Sequence, residues 1–498
     1  MSALSSLDLD LYPRSIVSAA DADWALARDK GERRLVALLP AGSPALNELE
    51  GERGEHQGRT LVVGPASPHN AEALRRLLPW LAPAPIGTRT SAGMGDRLGL
   101  ATPGHVRAVR AAAPGVAPIF AQQSIREMSR TGRTPCQVLD DATWGAFEEG
   151  WRDGVGADAD HLKTPEEIDR CLEAGFTLFT FDPGAFVDGS ADSADPVALK
   201  QAMEALPWAA LEDSPPALAG RYLGRVFDLG PSAVTFDGAT LTRAAVKYGA
   251  AVAHVKGLYR HLAQAARGRA FEVEVSVDET DTPTSHAEHA YVATELARLG
   301  VRWVSLAPRF VGRFEKGVDY IGDLAAFEQH IAGHAAIAAA LGPYKLSLHS
   351  GSDKFSIYPV AARLARGLVH LKTAGTSYLE ALRVAAALEP ALFREIYRFA
   401  CERYEEDRAS YHVSARLDRA VAAAASVRDE ELPALLDHFD ARQVLHVTFG
   451  SVLTATDSGG RPRFGDRLMA FLRRSPEAYA DALERHFVRH LAPFAPQQ

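Results

Sequence analysis

The chain has very little cysteine. Its 498 residues contain only Cys136, Cys171 and Cys401, far apart and without a CxxC pair. That spacing offers neither a disulfide framework nor a thiolate zinc site, and sparse, unpaired thiols fit a reducing cytoplasm. Long apolar runs are missing too, so nothing approaches the roughly 20 residues that span a bilayer. The opening MSALSSLDLDLYPRS has no basic n-region and no apolar h-region, so no signal peptide is expected. Basic charge is not in excess: 54 Lys and Arg face 63 Asp and Glu, for a net charge of -9. This argues against a nucleic-acid surface. No GxGxxG follows a strand, no P-loop or GxSxG occurs, and HAEH at 286–289 is not HExxH. What remains, at 47% apolar and 23% charged residues, has the composition of a soluble cytoplasmic enzyme.

Strand and helix signals alternate along most of the chain. The first ~85 residues read as strand–helix–strand–helix, with RRLVALLP and RTLVVGPAS as strands and AEALRRLLPWLA as a helix. The Pro-rich LAPAPIG then marks a boundary. Eight strand candidates with polar tips follow: GMGDRLGLA, APIFAQQS, VGADADHLK, FTLFTFDP, FEVEVSVDE, VRWVSLAP, YKLSLHS and GLVHLKT. Helical patterns separate most of them, which predicts a parallel sheet. Eight such units point to a (β/α)8 barrel over residues 89–375, after an N-terminal α/β extension at 1–88. A doubly wound open sheet is the rival. The interval 183–270 is too long for one crossover helix and is expected to carry a helical insertion. Residues 376–498 read as helical, packing around the barrel or mediating homo-oligomerisation.

In a barrel the chemistry sits at the C-terminal strand ends. KLSLHSGSDKFSIYP, starting at Lys345, releases His349, Ser350, Ser352, Asp353 and Lys354 there. In FEVEVSVDE, Val273, Val275 and Val277 alternate with Glu274, Ser276 and Asp278, which sends the carboxylates to one face. An acid facing a barrel interior is costly unless it is ion-paired, metal-bound or catalytic. Likewise His370 and Lys372 share one face of GLVHLKT. Asp158 and Asp160 share a parity that His161 breaks, so Asp160 and His161 cannot both point inward from a regular strand. Converging imidazoles and carboxylates suit a divalent cation such as Mn, Ni, Zn or Co, although each histidine alone would more often be structural. The helical His286, His289, His330 and His334 are read as mostly without function.

Several longer blocks carry a resemblance: GADADHLKTPEEI, FTFDP, EVSVDETDTPTSHAEH, APRFVGRFEKGVDYIGD, KLSLHSGSDKFSIYP, HLKTAGTSYLEALR and ARQVLHVTFGSVL. With them, nearly the whole chain resembles the tagaturonate/fructuronate epimerase family. The resemblance implies a divalent-metal epimerase acting at C4 of a keto-hexuronate, with related activity on tagatose and fructose. It implies Asp160 as proton acceptor and Glu274 as proton donor, with His161 and His349 as metal ligands. Glu315 of RFEKG is the favoured third ligand, with His370, Asp278 and Glu279 as alternatives. Lys163, Arg309, Asp353, Lys354, His370 and Lys372 are candidate substrate contacts, the cations among them because a uronate brings a carboxylate.

A hydrogen at C4 is not adjacent to a C2 ketone, so enolisation cannot invert that centre. Retro-aldol cleavage of C3–C4 can, with a carboxylate on each side of the substrate. Transient oxidation by NAD would need a fingerprint this sequence lacks. The alternative functions are a metal aldolase or keto-sugar isomerase of the same fold, and a non-catalytic sugar-binding protein.

Overall fold

The computed structural model describes residues 3–229 and 233–496. Eight parallel strands close into a barrel in sequence order: β1 (Ser91–Met94), β2 (Ala117–Ser124), β3 (Gly156–Leu162), β4 (Leu178–Phe181), β5 (Glu272–Val277), β6 (Ser305–Pro308), β7 (Lys345–Leu348) and β8 (Val369–Thr373). The closed barrel excludes the open-sheet rival. Every strand residue but His161 is buried, as strands covered on both faces require. The first strand lies earlier than GMGDRLGLA suggests. Beyond Met94 the Asp96 carboxylate accepts the N–H groups of Leu98, Gly99 and Ala101, and so folds that stretch into a loop.

The N-terminal segment departs from the strand–helix–strand–helix expectation. Residues 10–65 form a six-stranded antiparallel sheet, and its first α-helix, Pro68–Leu77, follows the last strand. The reason lies in its turns. Ala20–Asp21, Lys30–Gly31 and Gln57–Gly58 all have φ between 51° and 85°, the two-residue conformation whose twist joins antiparallel strands. Only the glycines advertise this in sequence, so the strand–helix–strand–helix reading does not include the strand Ala22–Asp29.

Between β4 and β5 the chain adds three short helices, a two-stranded ribbon and the 28-residue helix Gly238–Ala265. After β8 the described elements, from Thr376 to Phe494, are all helices. One apolar core runs from Trp24 and Leu35 of the N-terminal sheet, through the barrel's outer face, to Leu445 and Phe487 of the C-terminal helices. Among the described residues, no helix is long and apolar enough to cross a membrane.

Candidate active site

The barrel interior is polar. Its lower layer contains Lys345, which donates to Ser91 Oγ (2.9 Å), and His370, whose Nδ1 lies 2.9 Å from the same oxygen. Burial lowers Lys345 to about 8 and lowers His370 as well. His370 therefore sits beneath the mouth rather than in it.

Above this layer Lys372 stands at the centre of three carboxylates. Its Nζ lies 2.7 Å from Asp160 Oδ1, 2.8 Å from Glu274 Oε1 and 2.9 Å from Asp158 Oδ2, and it donates to Thr180 Oγ1 at 2.7 Å. Gln122 Nε2 donates to Asp160 Oδ2 at 3.2 Å. Gln122 fits there because Gly93 faces it, where a Cβ would meet Gln122 Cγ at 2.8 Å. Burial alone would raise the Asp160 and Glu274 carboxyls. Around Asp160 the opposing His161 and Lys372, and around Glu274 the opposing Lys372 and His349, outweigh it and hold both ionised, well below the usual range. Lys372 is raised by the same carboxylates, against the effect of its burial.

The conflict between Asp160 and His161 is resolved by a bulge. Phe179 pairs with Ala159 but Phe181 pairs with Leu162, so β3 carries an extra residue against β4. His161 takes it up at φ 53°, a left-handed conformation uncommon for a side-chain-bearing residue. Asp160 and His161 thereby both reach the mouth. His161 packs edge-on against His349 with ring centroids 5.0 Å apart.

His349, just past β7, places Nε2 2.6 Å from Glu274 Oε1 and Nδ1 3.1 Å from Asp278 Oδ1. Burial would lower this imidazole, but Asp278 and Glu274 push it up to about 10. Asp278 falls to about 2 because His349 outweighs its burial. His161 Nδ1 lies 3.4 Å from Asp182 Oδ2, and Lys163 Nζ lies 3.1 Å from the same oxygen. The Nδ1 atoms of both histidines, Asp182 Oδ2 and Glu274 Oε2 are buried without a well-directed hydrogen bond. Donor atoms of His161, Asp182 and Glu279 gather within 4.8 Å of one another. Imidazole and carboxylate donors crowded in this way fit a borderline divalent cation.

The cavity over this cluster is lined by residues the sequence reading passed over. Arg97, Arg126, Lys316 and Tyr411 face it, as does His446 from the helix Phe439–Val447. Both ring nitrogens of His446 are buried and without a hydrogen-bond partner. Lys316 Nζ donates to Ser350 Oγ (2.7 Å), and burial followed by repulsion from Arg126 lowers it. Asp182 had a visible signal, since Thr180 and Asp182 share the inward parity of FTFDP. For Arg126 the only sign was its place just after β2, and for His446 local sequence offered none.

Two of the expected contacts point elsewhere, and a third is divided. Glu315 lines the outer cleft with His161 and His349, but its Oε2 accepts from Ser414 N (2.9 Å), Ser414 Oγ (2.7 Å) and Gln443 Nε2 (3.0 Å), and no described metal-capable cluster includes it. Asp353 turns away at φ 63° to meet Arg442 (3.0 Å) and His486 (2.7 Å). Lys354 donates to the carbonyls of Glu315, Val318 and Ser352, and burial lowers it to about 7. All three tie the loops after β6 and β7 together or to the C-terminal helices. Arg309 lines the outer cleft beside Asp278 and Glu279, and Lys163 stands half-exposed at the rim.

Known proteins match this chain along nearly its whole length. Residues 12–494 match the family model for tagaturonate epimerase. The tagaturonate/fructuronate epimerase of Thermotoga maritima is 42% identical over 482 residues, 97% of this chain and 96% of its own. The native crystal structure of the fructuronate-tagaturonate epimerase from Cohnella laeviribosi superposes with a TM-score of 0.91 at 40% identity, covering 99% of this chain and 97% of that one. A glycerol complex of the same protein superposes equally well. With the match spanning the barrel, its insertion and the C-terminal helices, the chain is an isomerase of the tagaturonate epimerase family.

Proposed function

We propose that this enzyme interconverts D-tagaturonate and D-fructuronate by inverting C4 through retro-aldol cleavage and re-addition. The observation that carries the reading is the pair of ionised carboxylates, Asp160 on β3 and Glu274 on β5, meeting Lys372 from either side. One carboxylate takes the O4 proton, the C3–C4 bond breaks, and its electron pair moves into the enediolate of the C1–C3 half. The C4 aldehyde turns, the bond re-forms on its other face, and O4 takes a proton back from the opposite wall. Glu274 is suited to return it because His349, held protonated, lies within hydrogen-bond distance. Lys372 faces the charge that develops between the walls.

The residues that would hold a divalent cation are His161, Asp182 and Glu279, with His349 and Asp278 beside them. When bound, that cation would polarise the substrate's carbonyl oxygen as a Lewis acid. Arg126 and Lys316 are placed for the uronate carboxylate, and His446 for a substrate hydroxyl. In this reading residues 89–375 are the catalytic barrel, 1–88 are an extension that reaches its closed end through Ile86 and Gly87, and 376–498 cover its mouth with Tyr411 and His446.

The test is a parallel assay on tagaturonate, fructuronate, tagatose and fructose with metals exchanged, alongside Glu274→Gln. Turnover should depend on metal and collapse in the variant while fold and metal content persist. NADH trapped in the purified enzyme, with activity surviving complete metal removal, would overturn the mechanism. Free three-carbon products accumulating without C4 inversion would make the protein an aldolase instead.

A further inference from the structure

Outside the barrel, four histidines meet between two helices, His286–Arg298 and Leu324–Leu341. His330 and His334 are four residues apart and so lie on one face of the second helix. Their Nε2 atoms are 3.3 Å apart. Two nitrogens each about 2.0–2.1 Å from a tetrahedral zinc would be separated by about 3.3–3.4 Å. A ring nitrogen of His286 completes a triangle whose members all lie within 4.8 Å of one another. Gly333 makes this approach feasible, since a Cβ there would fall 2.3 Å from the His286 ring.

The surroundings resemble those of a metal ligand set. His334 Nδ1 lies 2.8 Å from His289 Nδ1, and His289 Nε2 lies 2.9 Å from Tyr344 Oη, a chain that fixes the His334 ring from behind. His286 and His330 are only partly buried, so an ion has a route in. Other contacts compete. His330 Nε2 is 3.1 Å from the Thr284 carbonyl, and His286 Nε2 is 2.9 Å from the His330 carbonyl. A metal would displace the protons shared there, and the His330 proton would move to Nδ1, giving up the long hydrogen bond that Nδ1 accepts from Val311 N (3.4 Å).

We propose that His286, His330 and His334 form a second metal site, separate from the barrel mouth, that takes a borderline divalent ion such as Zn²⁺ or Co²⁺ on three imidazoles and water. Its position defines its role. Thr284, at the foot of the first helix, exchanges hydrogen bonds with Arg309 (2.9 and 3.0 Å), and Val311 follows in the loop after β6. An ion here clasps the loops after β5 and β6, which carry Asp278, Glu279 and Arg309 into the outer cleft. The site therefore stiffens the mouth without touching substrate.

The test uses full-length protein stripped with chelator and titrated with Co²⁺. In His161→Ala/His349→Ala, which disables the mouth donors, one equivalent should still bind at micromolar concentration with the strong visible absorption of four-coordinate Co²⁺. His330→Asn/His334→Asn should lose that equivalent and keep turnover. If that variant does not fold, His286→Gln should weaken the same equivalent at least tenfold. Hydrogen exchange in 278–285 and 309–321 should slow on binding in His161→Ala/His349→Ala, where only this site loads, and not in His330→Asn/His334→Asn. No retained ion in His161→Ala/His349→Ala, or equal retention with and without His330 and His334, would overturn the site.

Discussion

Replacing Lys372 by methionine removes the one ammonium shared by Asp158, Asp160 and Glu274, at 2.7 to 2.9 Å from each. Lys372 and the three acids are all buried. Methionine fills most of the same volume, so packing loss contributes little. What remains is like charge without its counter-ion. Breaking a buried ion pair by deleting one partner costs about 3–5 kcal/mol. The wild-type and Lys372→Met proteins should therefore differ by about that much in urea denaturation at pH 7. Because the penalty comes from the stranded acids, neutralising one of them should soften it. Asp158→Asn serves for this, since it lies a layer below Asp160. In that background the Lys372→Met change should cost 1 kcal/mol less or better, a coupling well outside the ~0.5 kcal/mol scatter of independent sites. A single variant within 1 kcal/mol of wild type, or strict additivity in the double variant, would refute the picture of Lys372 as the charge centre of the barrel.

His105 is fully buried with Nε2 2.8 Å from Ser377 Oγ, and burial lowers it to about 4. The unfolded chain takes up a proton near pH 6.5 that the native state refuses. Stability from this group is thus complete above pH 6.5 and is lost as pH falls toward 4, by about 3 kcal/mol. Denaturation profiles of wild type and His105→Gln should diverge by that amount, and parallel profiles would contradict it. Lys316→Met should raise KM for uronates roughly 10- to 150-fold, the worth of one hydrogen bond to a charged group at about 1.5–3 kcal/mol, and leave KM for tagatose and fructose unchanged. Equal effects on both classes would remove Lys316 from carboxylate recognition. Glu315→Ala should destabilise by about 1–3 kcal/mol, because it strands the buried amide donor of Gln443. Its bound metal, measured by elemental analysis, should match wild type; loss of one equivalent would return Glu315 to the ligand set.

Alternation made the barrel legible. Eight apolar runs with inward polar parity left few other closures, and the same parity put Glu274, His349 and Lys372 on the inner wall while leaving Asp160 and His161 in competition for it. Parity failed where the backbone leaves regularity. The left-handed His161 admits a second inward residue on β3, and the left-handed Asp353 turns a loop acid away from the mouth. Residues whose role depends on distant chain were the hardest to read. Lys354 looks like a substrate cation until the carbonyls of Glu315 and Val318 surround it, and His446 looks like an ordinary helical residue until the C-terminal segment lies across the cavity. The N-terminal sheet was misread for a local reason, since its tightest turns use Ala20–Asp21 and Lys30 rather than residues that announce positive φ.

The carboxylates of the mouth outnumber its cations. Asp158, Asp160, Asp182, Glu274, Asp278 and Glu279 face Lys372, His161, His349 and Lys163, the last reaching both Asp182 and Glu279 at the rim. Even with both imidazoles protonated, the carboxylates exceed the cations by two. The field of those acids is what raises His161 and His349 against the effect of their burial. Two protons on the imidazoles or one dication between them satisfy that field equally, so exchanging one for the other leaves the balance unchanged and releases protons. Either way the inner site remains negative and would repel a uronate. Under the proposed function the anionic end of the substrate is expected toward the outer wall, where Arg126 and Lys316 stand, with its carbon chain running inward to Asp160 and Glu274. That polarity places C4 deep in the mouth and the carboxylate near the entrance. A neutral ketohexose, lacking the charge, would bind the same walls without this orientation.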